Sequence, residues 1–465
     1  MFRSAGARFL IVGLLALLMN IPMLMVGDVI NDRANYSRST IQSVGQEWGG
    51  EQLINGPVLV VPVQGPVSRL EKRETTDPAT GTVRTETFEV IETKSKRPIY
   101  VLPTMYDATL ETRAQERRRG IFLVPVYSAD LEIDFDFSLT GLSGALEDGE
   151  EILWDRSFLN VSLRSNKALR GPATLTVDGD ARPLEPSADQ DGNRGGIRGF
   201  VGDPRAAGAY KLSLSFNGAG TVQIAPVGRT TNVTYKSDWP HPSFHGAYLP
   251  DDYTVSETGS EATWSIPHLA RNLPQVSRAD RTEAAERAAF GVRFFQPNDF
   301  YQKAYRAARY GILFIALTFL TVMLMEMRSE KRAHPVQYIL IGLAQAIFVL
   351  LMVAYAEQIG FAYAYLVSAV ATIGLLILYG FVGLKLGRRT WVLGLLLIVL
   401  YGLLYMILRS ADYALLAGAS LAFVALGGTM IATRNEDWGG GDTDSPPKPW
   451  FWQKQATVQP APEQK

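Results

Sequence analysis

Six apolar stretches govern what this chain can fold into. They are Phe9–Val26 near its start and Tyr310–Met327, Val336–Ala356, Phe361–Leu384, Trp391–Leu408 and Tyr413–Thr433 in its last third. A helix needs about 20 mostly apolar residues to cross ~30 Å of hydrocarbon, and these stretches have that character. The residues between the first and second read as water-soluble. The layout predicts a large domain tethered at both ends to one side of a membrane.

Flanking charges set the expected orientation. Arg328, Lys331 and Arg332 follow the second stretch, Lys385, Arg388 and Arg389 the fourth, and Arg434 the sixth. The turns Gln358–Gly360 and Ser410–Asp412 carry no such clusters. Basic loops stay in the cytoplasm, so both termini are expected inside and the large domain outside. Arg3 and Arg8 precede the first stretch and Asp28 follows it. Its apolar run exceeds the 7–15 residues of a signal-peptide core, and no small-x-small cleavage site follows, so it reads as a signal anchor. The expected organisation is a cytoplasmic end and anchor over 1–27, a periplasmic domain over 28–309, a five-helix bundle over 310–433 and a disordered cytoplasmic tail over 434–465. Trp450, Phe451 and Trp452 interrupt that tail, either as an aromatic interfacial anchor or as a short sticky stretch.

Composition narrows the chemistry. The 465 residues include no cysteine, which excludes thiolate and iron–sulfur chemistry and any disulfide staple. A formal net charge of −1 points to no polyanion, and so to no nucleic acid. Within the apolar stretches only Gln345, Ser368 and Thr372 are polar near mid-depth. Glu326, Glu357, Lys385 and Asp412 fall near the ends. Coupled transporters carry ionisable groups inside the bundle, which weighs against a transporter. Gly383 and Gly387 form a lone GxxxG at a helix end.

Residues 28–309 read as β-rich. Asn31–Trp48 extends the first stretch as a helix, with Gly56-Pro57 as the expected break. Strands are expected at Val58–Val63, Val83–Thr93, Pro98–Pro103, Ile121–Val126, Asp130–Leu139, Phe158–Leu163, Ala173–Val177, Tyr210–Phe216, Thr221–Val227 and Thr230–Lys236. In the fifth of these, Leu131, Ile133, Phe135 and Phe137 alternate with Glu132, Asp134 and Asp136, one buried face against one wet face. Gln64–Gly81 reads as an exposed hairpin tip or loop, and Ser187–Gly199 as a polar loop. Many short strands separated by turns favour a sandwich-like domain. The fold class is thus an α-helical membrane protein of six spans with a large β-rich, sandwich-like extracytoplasmic domain.

Candidate sites are few. His241 and His245 have the i, i+4 spacing of paired metal ligands, but Pro240, Pro242 and Gly246 deny them a helix. Packing of Trp239, Phe244 and Tyr248 is the competing purpose of that segment. Arg113, Arg117, Arg118 and Arg119 are the strongest basic cluster, suited to phosphate or acidic lipid or balanced by Glu111 and Glu116. Lys303, Arg306 and Arg309 lie on one helical flank beside the second stretch, suited to anionic headgroups or simply solvated. There is no GxSxG, SxxK, P-loop, HExxH or dinucleotide fingerprint. No enzyme and no cofactor are expected, and metal binding rests on His241 and His245 alone.

Several segments resemble the CreD family of bacterial inner-membrane proteins. They are Trp48-Gly49-Gly50, Gly56 to Pro62, Arg117 to Ile121 with Val124 to Tyr127, Asp238 to Phe244, Tyr301 to Phe319, His334-Pro335-Val336-Gln337-Tyr338 and Asp412 to Leu416. The resemblance covers nearly the whole chain apart from polar loops and the tail. It implies a role in envelope integrity, with tolerance to colicins and β-lactams under two-component control. It supplies no catalytic residues. His245 and the tail aromatics stand out as features of this sequence rather than of the family. The expected function is a non-enzymatic inner-membrane protein supporting the envelope, whose partners are the lipid bilayer and envelope components or other membrane proteins. The alternatives are a carrier or lipid-handling channel formed by the helix bundle, and a metal-dependent hydrolase using His241 and His245.

Overall fold

The computed structural model describes residues 5–76, 83–188, 195–294, 300–327, 333–409 and 414–434. The expected tail beyond 434, with Trp450, Phe451 and Trp452, lies outside the described residues, as do Arg328, Lys331, Arg332 and the turn at 410–412. The chain divides into two compact units: one spans Tyr36–Asn298, and the other joins Met1–Asn35 to Asp299–Lys465.

The unit Tyr36–Asn298 is built on two sheets. One runs in the order Pro242–Gly246, Phe290–Phe294, Thr221–Ile224, Gln52–Thr76, Phe158–Leu163, Gly195–Phe200, Leu184–Ala188, with Val83–Val101 paired to Gln52–Thr76. The other runs Asp252–Ser256, Gly259–Pro267, Thr230–Ser237, Met105–Arg119, Phe122–Phe135, Tyr210–Ala219, Leu169–Val177, Asp180–Arg182. Pairing is antiparallel except where Gln52–Ile54 meets Val222–Ile224 and where Thr230–Ser237 meets Met105–Thr112. Both sheets contribute to one apolar core, in which Leu59, Ile99 and Ile224 from the first sheet join Tyr127, Phe135 and Phe216 from the second. Alternation works as expected in Phe122–Phe135: Leu131, Ile133 and Phe135 are buried while Glu132 and Asp134 face out.

Four local readings need correction. The entry helix, Asn20–Trp48, stops at Gly49-Gly50 rather than at Gly56-Pro57. Gly50 N–H reaches back to Gly45 O at 2.7 Å, and both glycines hold positive φ, +136° and +72°, a conformation that L side chains resist. Gly56-Pro57 sits instead inside a strand, at a register shift between Asn55 and Val58. Residues 64–76 are strand, paired from Gln64↔Ser95 to Thr76↔Val83 in a long ribbon. Backbone pairing runs the length of this ribbon, and the apolar alternation that marks a half-buried strand is missing from its first arm. Gly195–Phe200 is also strand, its glycines admitted by close backbone approach to Val161 O and Asn166. Ile121–Val126 and Asp130–Leu139 prove to be one strand, Phe122–Phe135, with Tyr127–Ala129 continuing the ladder against Gly218–Phe216.

Among the described residues, five helices are long and apolar enough to cross a membrane. They are Gly6–Trp48, whose last residues belong to the β unit, Phe300–Glu326, Pro335–Ile359, Phe361–Val382 and Gly387–Arg409. An apolar helix, Ala414–Ala432, follows. Phe300–Met327 is the hub, packed by Ala5–Leu18, Pro335–Ile359, Thr390–Arg409 and Ala414–Ala432. Leu10, Leu14, Leu366, Val370, Leu395 and Ile398 are exposed on outer faces, a surface suited to hydrocarbon rather than water. The His334-Pro335-Val336-Gln337 segment is a reciprocal helix cap. His334 Nδ1 accepts from Val336 N–H at 3.3 Å, and Gln337 Oε1 accepts from His334 N–H at 2.8 Å. Pro335 takes the first helical position, where its missing N–H costs nothing. Gln337 Nε2 then donates to Gly383 O at 3.2 Å. Arg389 donates to Met325 O at 3.0 Å, placing a cation at a helix C-terminus. Phe361–Val382 ends before Gly383, and Gly387 has φ +57°, so that GxxxG belongs to a turn rather than a helix face.

Candidate ligand groove

The residues Tyr36–Trp48 of the entry helix lay Ile41, Val44 and Trp48 against Val124, Val126 and Ala219. The i, i+3, i+7 spacing makes one apolar stripe. Two close approaches set the helix down. A Cβ on Gly45 would stand 3.1 Å from Ala219 Cβ, and one on Gly49 2.6 Å from Asn217 O. Trp48 Nε1 donates to Tyr127 O at 3.2 Å, and Ala219 N–H to Gly50 O at 2.8 Å. The Trp48-Gly49-Gly50 segment therefore ends the helix, seats it and turns the chain into the sheet.

A groove of about 740 Å³ opens beside this helix. A second cavity, between Asn55 and Tyr100, holds only about 30 Å³, room for little more than a water. Ile41, Val124, Pro125, Ala219 and Phe294 give the groove apolar lining. Arg38, Arg164, Lys167 and Arg293 give it positive charge, against the single acid Glu51. Arg164 and Lys167 ride on a short loop that Asn166 pins by donating its amide to Gly196 O at 2.8 Å. Arg293 is the outward residue of Phe290–Phe294, whose Phe290, Val292 and Phe294 point into the core. Among the described residues, Arg164, Lys167 and Arg293 have no side-chain hydrogen bond or ion pair. These cations come from three distant segments, so no local cluster in the sequence announced them.

His245 stands near this charge. It lies in the strand Pro242–Gly246, opposite Gly291. Its Nδ1 is buried without a partner among the described residues. Burial, and then the neighbouring Arg293 charge, hold its pKa below the usual imidazole value. His241 lies just outside that strand, and its carbonyl accepts from Trp239 Nε1 at 3.0 Å. No group of three or more His, Asp or Glu able to hold a metal is found among the described residues. Asp238–His241 is a packed bend that leads into the strand Pro242–Gly246. Asp238 Oδ1 accepts from Ala114 N–H at 2.7 Å, Ser260 Oγ donates to Trp239 O at 3.0 Å, and Phe244 meets Trp264 edge-on at 5.9 Å.

The arginine cluster is spread along one strand rather than gathered. Arg113 pairs with Asp130 at 3.4 Å, Arg117 lies 4.1 Å over the Trp48 ring, and Arg119 reaches Glu47 at 2.8 Å. Arg118 is exposed, without a side-chain partner among the described residues. The partners are thus Asp130, Glu47 and Trp48, not Glu111 and Glu116. In the helical unit, Lys303 Nζ lies 5.0 Å over the Phe361 ring, Arg306 donates to Leu408 O at 3.5 Å, and Arg309 lies 5.8 Å over Tyr305.

Apolar helices with hydrocarbon-compatible faces, joined in one chain to a large two-sheet unit, define a membrane protein with a β-rich domain. A family model described as inner membrane protein CreD matches residues 4–439. The chain is also similar to inner membrane protein CreD of Escherichia coli (strain K12), at 32% identity over 426 residues covering 91% of each. The chain belongs to the CreD family.

Proposed function

We propose that this chain is a non-enzymatic protein of the bacterial inner membrane that supports envelope integrity and stress tolerance. In this reading it crosses the membrane six times, keeps both termini in the cytoplasm and carries a sandwich-like domain on the periplasmic side. Family membership along nearly the whole chain carries the proposal. The alternation of basic and non-basic loops supports the orientation. The domain works by binding envelope components or other membrane proteins rather than by turning over a substrate.

Two experiments test this. Full-length protein is expressed in a deletion strain and survival is scored under envelope stress; restoration to wild-type survival is expected, and none at matched expression ends the envelope reading. The absence of native cysteine makes single-cysteine labelling clean. Thr140→Cys is expected to react with an impermeant maleimide from outside, and Arg388→Cys only after the membrane is opened. The reverse pattern overturns the orientation.

A second reading, a carrier or lipid-handling channel, draws on one observation. Gln345, Ser368 and Thr372 are buried in the helical unit, and Gln345 Nε2 and Ser368 Oγ lack partners among the described residues. Unsatisfied polar atoms at such depth invite water or a polar ligand. Gln345→Leu and Ser368→Ala abolish complementation if that reading holds and leave it intact if the bundle is only an anchor.

A further inference from the structure

The geometry points to the groove beside Tyr36–Trp48 as a binding site for a phosphate group carried on an apolar stem, gripped by Arg164, Lys167 and Arg293. Its volume of about 740 Å³ lies within the roughly 300–1,000 Å³ of small-molecule sites. Among the described residues, three cations without side-chain partners face one acid, Glu51, around a shared space. That excess exceeds what one carboxylate needs, whereas a phosphate monoester brings up to two charges and three acceptor oxygens. Arginine's planar fork matches such oxygens in two-point contacts, and lysine adds a point charge. Ile41, Val124, Pro125, Ala219 and Phe294 offer the stem an apolar wall.

Two further features agree. Burial first, and the Arg293 charge second, hold the pKa of His245 down, so the imidazole beside the groove stays uncharged and does not compete with the cations for the anion. The supports are also rigid: the loop bearing Arg164 and Lys167 is fixed by Asn166 and buried Ala168, and Arg293 projects from a strand paired on both sides. A site held on rigid elements gives up little order on binding. This inference needs neither the proposed orientation nor the envelope role, and its test reads binding alone.

The full-length protein, in phosphatidylcholine nanodiscs, is titrated calorimetrically with dioctanoyl phosphatidic acid, dioctanoyl phosphatidylcholine and inorganic phosphate, with empty nanodiscs as the blank. Saturable binding of a phosphate-monoester probe is expected, with phosphatidylcholine at least about tenfold weaker. Phosphatidic acid about tenfold or more tighter than inorganic phosphate identifies a lipid headgroup as the source; equal affinity identifies a small free phosphate. Arg164→Gln alone should weaken binding about tenfold, and the triple change R164Q/K167Q/R293Q about a hundredfold or more. All three side chains are exposed, so unfolding is not expected, and the single variant stands in should the triple melt early. Arg182→Gln, which removes an exposed cation outside the groove lining, should bind like wild type. Absence of saturable binding, equal binding of phosphatidylcholine, or unchanged affinity in R164Q and the triple variant overturns the proposal.

Discussion

Arg33 grips Glu357 at two points, Nε to Oε1 at 3.1 Å and Nη2 to Oε2 at 2.6 Å, and Tyr301 Oη donates to the same Oε1 at 2.9 Å. The carboxylate side chain is only 7% exposed. This junction ties residues 324 positions apart within the helical unit. Removing one member of a charged, hydrogen-bonded set leaves the others unsatisfied and costs about 1–3 kcal/mol. Glu357→Ala should therefore lower the melting temperature of the detergent-purified protein by several degrees. Tyr301→Phe, which deletes one hydrogen bond, should lower it less. Equal melting of all three proteins would remove the fork from the forces that hold this unit.

Gly218 has no room for a side chain. A Cβ there would run into the ring and hydroxyl of Tyr127. That hydroxyl donates to Thr221 O at 2.7 Å, and its ring stacks on Phe294 at 4.6 Å. Gly218→Ala should cost about 1–3 kcal/mol through overpacking, read as a drop in melting temperature. Gly144→Ala, where nothing lies within 4 Å of the new methyl, should be neutral.

His245 predicts a pH dependence. Its folded pKa is held below the ordinary 6.5, by burial first and by Arg293 second. The unfolded chain then binds the proton more readily than the folded one. The stability this group contributes is complete above pH 6.5 and is lost as pH falls through the lower, folded value. Between pH 7.5 and about 5.5, wild type should lose more melting temperature than His245→Gln. A larger loss in the variant would reverse the sign and refute the argument.

Gln337 serves two helix ends at once, accepting from His334 N–H and donating to Gly383 O. Gln337→Ala should cost about 1 kcal/mol, the usual worth of a cap. Gln337→Glu keeps the acceptor but loses the donor to Gly383, so it should fall between the two in thermal melts.

How far the sequence could be read depended on the kind of signal. The apolar stretches and the alternation at Leu131, Ile133 and Phe135 were legible because burial repeats at a fixed period. The first arm of the ribbon, residues 64–76, and the glycine-rich strand Gly195–Phe200 were not, because backbone pairing leaves little mark on side-chain chemistry. The stop at Gly49-Gly50 was outweighed by the stronger-looking Gly56-Pro57, which the strand absorbs at a register shift. The groove escaped notice because Arg164, Lys167 and Arg293 become neighbours only through sheet order. The arginine run Arg117–Arg119, conspicuous in the sequence, is a strand whose side chains part company.

Beyond Gln64, which also pairs with Glu151, the two arms of the ribbon, residues 65–76 and 83–94, pair only with each other among the described residues. Their outer edges therefore offer unused backbone donors and acceptors, the kind of template on which another chain can add a strand. Arg69, Glu71 and Lys72 on one arm, and Glu89, Glu92 and Lys94 on the other, stud those edges with charge, and Glu92 and Lys94 already pair at 2.8 Å. A neighbouring strand approaching either side must strip water from these groups before it can bond. The charges that hid the first arm from a hydrophobicity reading thus act, with those of the second, as gatekeepers, keeping crowded copies of the molecule from knitting together edge to edge.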